Sequence, residues 1–140
     1  MTVAVYASSQ TTPINFTQST SNAVVAQLRV PTTGTGKFVV LGKVGILPAP
    51  RFTVPGEIGV SASAEMRSSQ TALDVTVPLF MPEGVSGLRL SLQGTLDLSG
   101  HNVSDIVEIV VFSTPGAQAV GAELIAIEVD ALFGSLPLPG

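Results

Sequence analysis

The sequence predicts an all-β fold: one antiparallel β-sandwich, jelly-roll-like, with about eight strands. Three observations predict it. Apolar and polar residues alternate with a period of two in several stretches, turns rich in Gly and Pro separate these stretches, and none has helical periodicity. Regularly spaced strands without helices between them are typical of sandwiches and barrels. With 140 residues, the chain is long enough for one such domain and too short for two.

The N-terminal part of the chain carries the weakest strand signal. Residues 8–21 are rich in Ser, Thr and Gln and are typical of a linker, although Ile14 and Phe16 also fit a short edge strand. Stretches rich in Val, Leu and Ile that end at turn residues predict the strands that follow. These are Ala23–Val30, Lys37–Leu47 and Ala72–Leu79, with turns at residues 31–36, 47–50 and 81–84. Residues Phe52–Arg67 alternate only weakly and are rich in small residues, and we interpret them as a further strand.

The clearest strand signal runs from Leu88 to Ser99. Leucines alternate there with polar residues, and a strict period of two predicts a strand with one buried face. Gly94 falls on the apolar face, where a glycine marks a bulge or a close approach of another backbone segment.

Two further strands are predicted near the C-terminus. Residues Val103–Phe112 are apolar on both sides except at Asp105 and Glu108, which predicts a strand covered on both faces. The final strand has two alternating faces. One face holds Ile125, Ile127, Val129, Ala131 and Phe133, and the other holds Leu124, Ala126, Glu128, Asp130 and Leu132.

The domain organisation follows from these elements. Residues 1–21 form an N-terminal arm or edge strand, residues 22–133 form the β-sandwich domain, and residues 134–140 form a C-terminal tail. Both terminal segments are short of core residues, so we expect them to reach neighbouring subunits, where an extended segment can add a strand to a sheet edge.

Charged residues are scarce, at 11% of the chain, against about 25% in an ordinary soluble domain. Two interpretations are open: much of the surface lies against other protein, or the surface is polar through Ser and Thr without charge. The net charge of −4 and the scattered basic residues predict no nucleic-acid partner, because phosphate binding needs clustered Lys and Arg.

Catalytic and metal-binding chemistry has few candidate residues. With no cysteine and a single histidine, His101, placed in a turn, the sequence offers neither a metal cluster nor a nucleophilic triad. Asp105 and Glu108 fall on opposite strand faces. Glu128 and Asp130 share a face, where we interpret them as a solvated or intersubunit polar stripe rather than an acid–base pair. We predict no enzymatic activity, no catalytic residue, no cofactor and no metal site.

Targeting and membrane segments are also not predicted. The N-terminal MTVAVYASSQTTP has no basic region followed by a long apolar run, so we expect no secretory signal peptide. Apolar runs elsewhere are interrupted well before the roughly 18 residues that a membrane helix needs. We expect no membrane partner.

The run RVPTTGTGKFVVLGKV carries a strand, a Pro/Gly turn and a Lys-aromatic-Val-Val strand, and SLQGTLDLSG and LIAIEVDALF carry later strands. The order of these features resembles the small bacterial and phage jelly rolls related to the C1q and tumour-necrosis-factor modules. The sequence departs from these modules in having no collagen-like Gly-X-Y stalk and few aromatic residues.

This resemblance implies a homotrimer packed around a threefold axis, with the final strand near the axis. Leu132, Phe133, Leu136 and Leu138 are the subunit-interface residues that it suggests, although Phe133 fits the core equally well. Together with the scarcity of charge, it predicts a structural virion protein, a trimeric decoration or cement protein on the outside of a bacteriophage capsid. The alternative is a receptor- or glycan-binding module of a phage fibre or a bacterial cell surface.

Overall fold

Two antiparallel sheets pack face to face in the computed structural model, which describes residues 4–17, 19–32, 34–48, 59–69, 71–82 and 87–130. Sheet 1 contains β1 (Val5–Gln10), β2 (Ile14–Phe16), β4 (Lys37–Pro48), β8 (Leu88–Asp97) and β10 (Ala117–Glu128). Sheet 2 contains β3 (Asn22–Val30), β5 (Gly59–Arg67), β6 (Ala72–Val75), β7 (Leu79–Pro82) and β9 (Asp105–Ser113).

The strand order is that of a jelly roll. β1 and β2 pair with successive parts of β10, and β6 and β7 pair with successive parts of β5, so each pair occupies one edge position. Numbered by position, the order is 1-8-3-6 in sheet 1 and 2-7-4-5 in sheet 2. Two Greek keys that share one sandwich produce this order. The predicted antiparallel sandwich is confirmed, and the described residues form ten strands because two edge strands are interrupted.

The N-terminal segment belongs to the sheet of its own chain. β1 and β2 both pair antiparallel with β10, and the side chain of Phe16 is fully buried. Tyr6 on β1 packs edge-on against Phe38, with ring centroids 6.1 Å apart, a geometry favoured by aromatic rings. The described part of residues 1–21 therefore contributes both an edge and core contacts to the domain.

The final strand begins earlier than the sequence suggested. β10 starts at Ala117, and its pairing register with β4 shifts between Val120 and Glu123. Gly121 lies in this shift with φ of 60°, a conformation that glycine adopts without strain. The inward-facing positions change from odd to even numbers across this bulge, which hid the N-terminal half of β10 from a simple search for period two.

The prediction that the strand at residues 103–112 is covered on both faces is wrong. Odd-numbered positions of β9 face the core and are buried, whereas Ile106 and Phe112 on the opposite face are exposed. Val110 is buried because Val24 and Glu65 on the neighbouring strands flank it. No strand or helix among the described residues lies over this outer face.

The predicted single strand over residues 72–79 is also corrected, because Thr76, Val77 and Pro78 separate β6 from β7. Proline has no N–H for a sheet ladder. The Thr76 hydroxyl holds the break in place by accepting a hydrogen bond of 2.9 Å from the Ala64 amide. The strand predicted over Phe52–Arg67 is a separate element, and its first residues, 52–58, lie outside the described residues.

The core lies between the sheets and is mostly aliphatic. Its largest fully buried side chains come from strands of both sheets, as the alternation of the sequence predicted. They are Phe16, Phe38, Ile46, Met66, Leu90, Leu98, Ile109, Leu124, Val30, Val40 and Val44.

The two sheets meet closely at one corner, where β8 approaches β6. A Cβ atom on Gly94 would lie 2.8 Å from Leu73 Cβ and 3.0 Å from the Leu73 carbonyl oxygen, so Gly94 marks a close approach of another backbone segment, as its place on the apolar face indicated. Beside this contact, the Gln93 amide donates a hydrogen bond of 2.8 Å to the Asp74 carboxylate. This bond satisfies an edge amide of β8 that is otherwise open to pairing with another chain.

Candidate interaction surfaces

Polar side chains that could do chemistry are dispersed over the molecule. Within the described ranges, no three His, Asp or Glu residues gather in a way that could hold a metal ion. His101 is exposed in the turn after β8. The predicted interface residues Leu132, Phe133, Leu136 and Leu138 lie outside the described residues.

Asp105 stabilises a turn. Its side chain is buried at the start of β9, and its Oδ1 atom accepts hydrogen bonds from the Ile106 amide at 2.7 Å and from the Ser69 hydroxyl. The Ser69 amide also donates to Oδ1 at 3.3 Å. Asp105 thus joins the beginning of β9 to the turn after β5, and Glu108 lies on the opposite face of the strand, as predicted.

Glu108 lies in a polar row across sheet 2. It accepts hydrogen bonds from Gln27 Nε2 at 3.1 Å and from Arg67 Nε at 2.9 Å. The hydrogen bond from Gln27, followed by the hydrogen bond and charge of Arg67, outweighs the opposing effect of burial and lowers the pKa of Glu108. These pairings satisfy the carboxylate within the sheet.

Glu128 joins a turn to the last strand and is not simply part of a solvated stripe. Its Oε2 accepts a hydrogen bond of 2.7 Å from the Thr35 amide, and its Oε1 accepts one of 3.4 Å from the Ala4 amide. Gly34 has φ of 68°, and a Cβ atom there would collide with Glu128 Oε2. Asp130 lies beyond the strand and is exposed.

The outer face of sheet 1 carries a contiguous apolar area, which we call the aliphatic patch. Its residues lie in two neighbouring rows that cross β1, β10 and β4, because cross-strand partners share a face of the sheet. The rows are Val5, Ile127 and Val39, and Ala7, Ile125 and Leu41. All six side chains are exposed or half-buried.

Charged pairs border the aliphatic patch at both ends. Lys43 Nζ lies 3.1 Å from Glu123 Oε2 at one end, and Lys37 lies opposite Asp97 at the other. Hydrogen bonds from the Ser99 hydroxyl and amide, and then the charge of Lys37, lower the pKa of Asp97. A shallow groove of about 480 Å³ runs beside the first pair. Its lining includes Leu41, Ile125, Lys43, Glu123, Asp74 and Gln93.

The outer face of sheet 2 is less uniform. The row formed by Gln27, Glu108 and Arg67 separates the exposed Ile106 from the exposed Val24 and Phe112. This second face therefore presents apolar side chains in two areas divided by charge, whereas the first presents an uninterrupted patch.

The sequence analysis missed the aliphatic patch, although its signal is visible in the sequence. An antiparallel sheet with one solvated face has polar residues at alternate positions. β8 follows this rule, whereas β4 places Val39 and Leu41, and β10 places Ile125 and Ile127, at positions that face outward. The bulge at Gly121 concealed which face of β10 points outward.

The fold, but not the sequence, is similar to that of known proteins. A scan against protein-family models finds no match, and a search of curated proteins finds none either. Among solved structures, the chain is similar to one of infectious bursal disease virus strain Gx, with a TM-score of 0.59 and 8% identity over 91% of this chain and 33% of the other.

Two further structures give the same result. The Gt strain of that virus matches with a TM-score of 0.54 and 6% identity over 89% of this chain and 33% of the other. A VP2 subviral particle of the virus matches with a TM-score of 0.51 and 6% identity over 91% and 33%. The chain spans about a third of the length of these solved chains. At such identities the likeness shows the jelly-roll fold alone.

The part of the chain described by the structure contains no helix long and apolar enough to cross a lipid bilayer.

Proposed function

We propose that this chain is a non-enzymatic structural protein of a virus particle, a homotrimeric decoration or cement protein that binds to the outside of a bacteriophage capsid. The observation that carries the proposal is the apolar outer surface of a domain whose core is already complete. Outward aliphatic side chains on central strands have no function inside the sandwich, and such exposed patches mark contacts with other proteins.

Two further observations support the proposal. The polar groups that suggested chemistry in the sequence are used within the domain, since Asp105 and Glu128 bind backbone amides and Glu108 binds two side chains. The fold is similar to that of solved chains from virus particles, and jelly rolls are common in capsid proteins. The threefold arrangement is what the resemblance to the C1q-like modules implies, and it suggests Leu132, Phe133, Leu136 and Leu138 as residues at or near the subunit contacts.

Binding to capsids tests this function. The full-length chain is incubated with capsids that lack decoration proteins, and the bound protein is measured after sedimentation. We expect saturable binding in multiples of three copies. Free chain that stays in the supernatant at all concentrations would contradict the proposal.

The groove beside Lys43 favours a second candidate, a receptor- or glycan-binding module of a phage fibre or bacterial surface. Its volume of about 480 Å³ falls within the range of small-molecule sites, and its floor of Leu41 and Ile125 has polar side chains around it. Gln93→Ala and Asp74→Ala remove polar groups from the groove. Glycan binding that these variants abolish, without capsid binding by the wild type, would favour this candidate.

A further inference from the structure

Not every central strand of the sandwich presents aliphatic residues outward. β5 is central in sheet 2, and its outer positions are polar. They are Ser61, Ser63, Glu65 and Arg67. β4 and β10 are central in sheet 1, and the corresponding positions are Val39, Leu41, Ile125 and Ile127. A central position therefore does not by itself require aliphatic outer residues, and those of sheet 1 need another explanation.

We propose that the outer face of sheet 1 binds the same face of a second copy of this chain, with the copies related by a two-fold axis parallel to β4 and β10. The inference deepens the proposed function and rests on it only for the place of the contact. On the capsid surface, this contact links decoration proteins to one another. It adds a contact to those of the proposed trimer.

The pairing register makes this face self-complementary. Lys43 pairs with Glu123, and Leu41 pairs with Ile125, between β4 and β10. A two-fold axis midway between these strands, in the plane of contact, places β4 of one copy over β10 of the other at the same height. Lys43 then meets Glu123 of the partner subunit, and Leu41 meets Ile125 of the partner subunit.

The size of the face fits such a contact. β4 and β10 have 12 residues each, β8 has 10, and β1 and β2, which share one edge position, have 6 and 3. At about 3.4 Å per residue and about 4.8 Å between strands, the face covers about 700 Å² per copy. A specific interface of standard size buries about 800 Å² per partner. The aliphatic patch forms its centre and the charged pairs form its rim, which is the usual arrangement of an interface.

The charges of the face also suit a second copy. The chain carries a net charge of −4, which makes copies repel each other in general. This face, however, balances Lys43 against Glu123 and Lys37 against Asp97. A copy in the two-fold arrangement meets opposite charges at the Lys43 end, whereas a strongly acidic or basic partner meets as many like charges as opposite ones.

Charge reversal tests the arrangement directly. Lys43→Glu gives a face with two acidic groups at this position, and Glu123→Lys gives a face with two basic groups. Each variant alone is expected to self-associate at least about tenfold more weakly than the wild type, because like charges then meet across the two-fold axis. When the two variants are mixed in equal amounts, opposite charges meet again, and association is expected to return.

Sedimentation velocity measures the self-association of each variant and of their mixture against that of the wild type. Circular dichroism checks that each variant is folded. Both side chains of the pair are more than 40% exposed, so losing the salt bridge within one chain costs little stability. Ile106→Lys is the matched control on the outer face of sheet 2, since Ile106 is 38% exposed and Leu41 is 37% exposed. We expect Leu41→Lys to abolish the association through sheet 1 and Ile106→Lys to leave that association unchanged.

Three results would overturn the inference: folded single variants that associate like the wild type, a mixture that does not recover association, or an equal loss in Ile106→Lys. The capsid experiment remains separate. A chain that self-associates through this face but does not sediment with capsids contradicts only the proposed function. A chain that binds capsids but shows no mixed recovery contradicts only this inference.

Discussion

At the scale of single residues, Gly94 is a position where one added atom has a predictable effect on stability. Its Cβ would lie 2.8 Å from Leu73 Cβ, an atom that every residue except glycine has, so repacking of the Leu73 side chain cannot relieve the clash. We expect Gly94→Ala to lower the free energy of unfolding by about 1 to 3 kcal/mol, as measured by urea denaturation.

Gly100→Asn serves as the control for that measurement. Gly100 has φ of 81° with no atom within 4 Å of a Cβ placed there, and asparagine tolerates this conformation. A loss of stability in Gly94→Ala no greater than that in Gly100→Asn would show that β8 and β6 do not approach as closely as described.

The pKa of Glu108 makes the stability of the folded domain depend on pH. Its pKa is lowered in the folded state, so the unfolded chain takes up the proton first as the pH falls. The stabilisation from its pairing is therefore fully present at neutral pH and is lost as the pH falls through 4.5, the ordinary value, and on through the lower folded-state pKa.

The variant that tests this dependence is Glu108→Gln, which keeps the shape of the side chain without the titrating group. We expect it to be less stable than the wild type at neutral pH and to lose less stability between neutral and acidic conditions. Urea denaturation at both conditions measures this difference. A wild-type loss no larger than that of the variant would contradict the assignment.

At the scale of elements, the turn between β3 and β4 depends on β10. Glu128 accepts a hydrogen bond from the Thr35 amide at 2.7 Å. We expect Glu128→Ala to speed amide hydrogen exchange at Thr35, because a protected donor becomes free to bind water. Glu128→Gln keeps a carbonyl acceptor and should retain most of the protection. Equal exchange in the wild type and both variants would show that this bond does not hold the turn.

The strands differ in how well the sequence predicted them. β8 was predictable because its leucines alternate strictly and its outer positions are all polar. β10 was predicted only in part, since the bulge at Gly121 reverses the alternation and removes the signal of period two. The outer face of β9 was predicted wrongly because apolar residues such as Ile106 and Phe112 occur in two situations. Another element of the same chain can cover them, or another protein can contact them, and the sequence of one chain does not distinguish these.

At the scale of the whole molecule, the scarcity of charge and the aliphatic patch both make the surface of the domain less polar. With charged residues at 11% of the chain, the domain places Ile125, Ile127 and Leu41 on an outer face beside the ion pair of Lys43 and Glu123. The composition predicts no catalytic cluster, whereas finding the aliphatic patch required the strand register. The location of the candidate surface could therefore not be found from the sequence.

The measurement that tests the central claim most directly is sedimentation velocity of the full-length chain from about 1 µM to about 100 µM, where interfaces of modest affinity become populated. We predict that the mass of the sedimenting species rises above that of one 14.3 kDa chain as the concentration increases, and that Leu41→Lys prevents the part of the rise due to sheet 1. A single species of 14.3 kDa at every concentration would contradict an outer surface built for contact between copies.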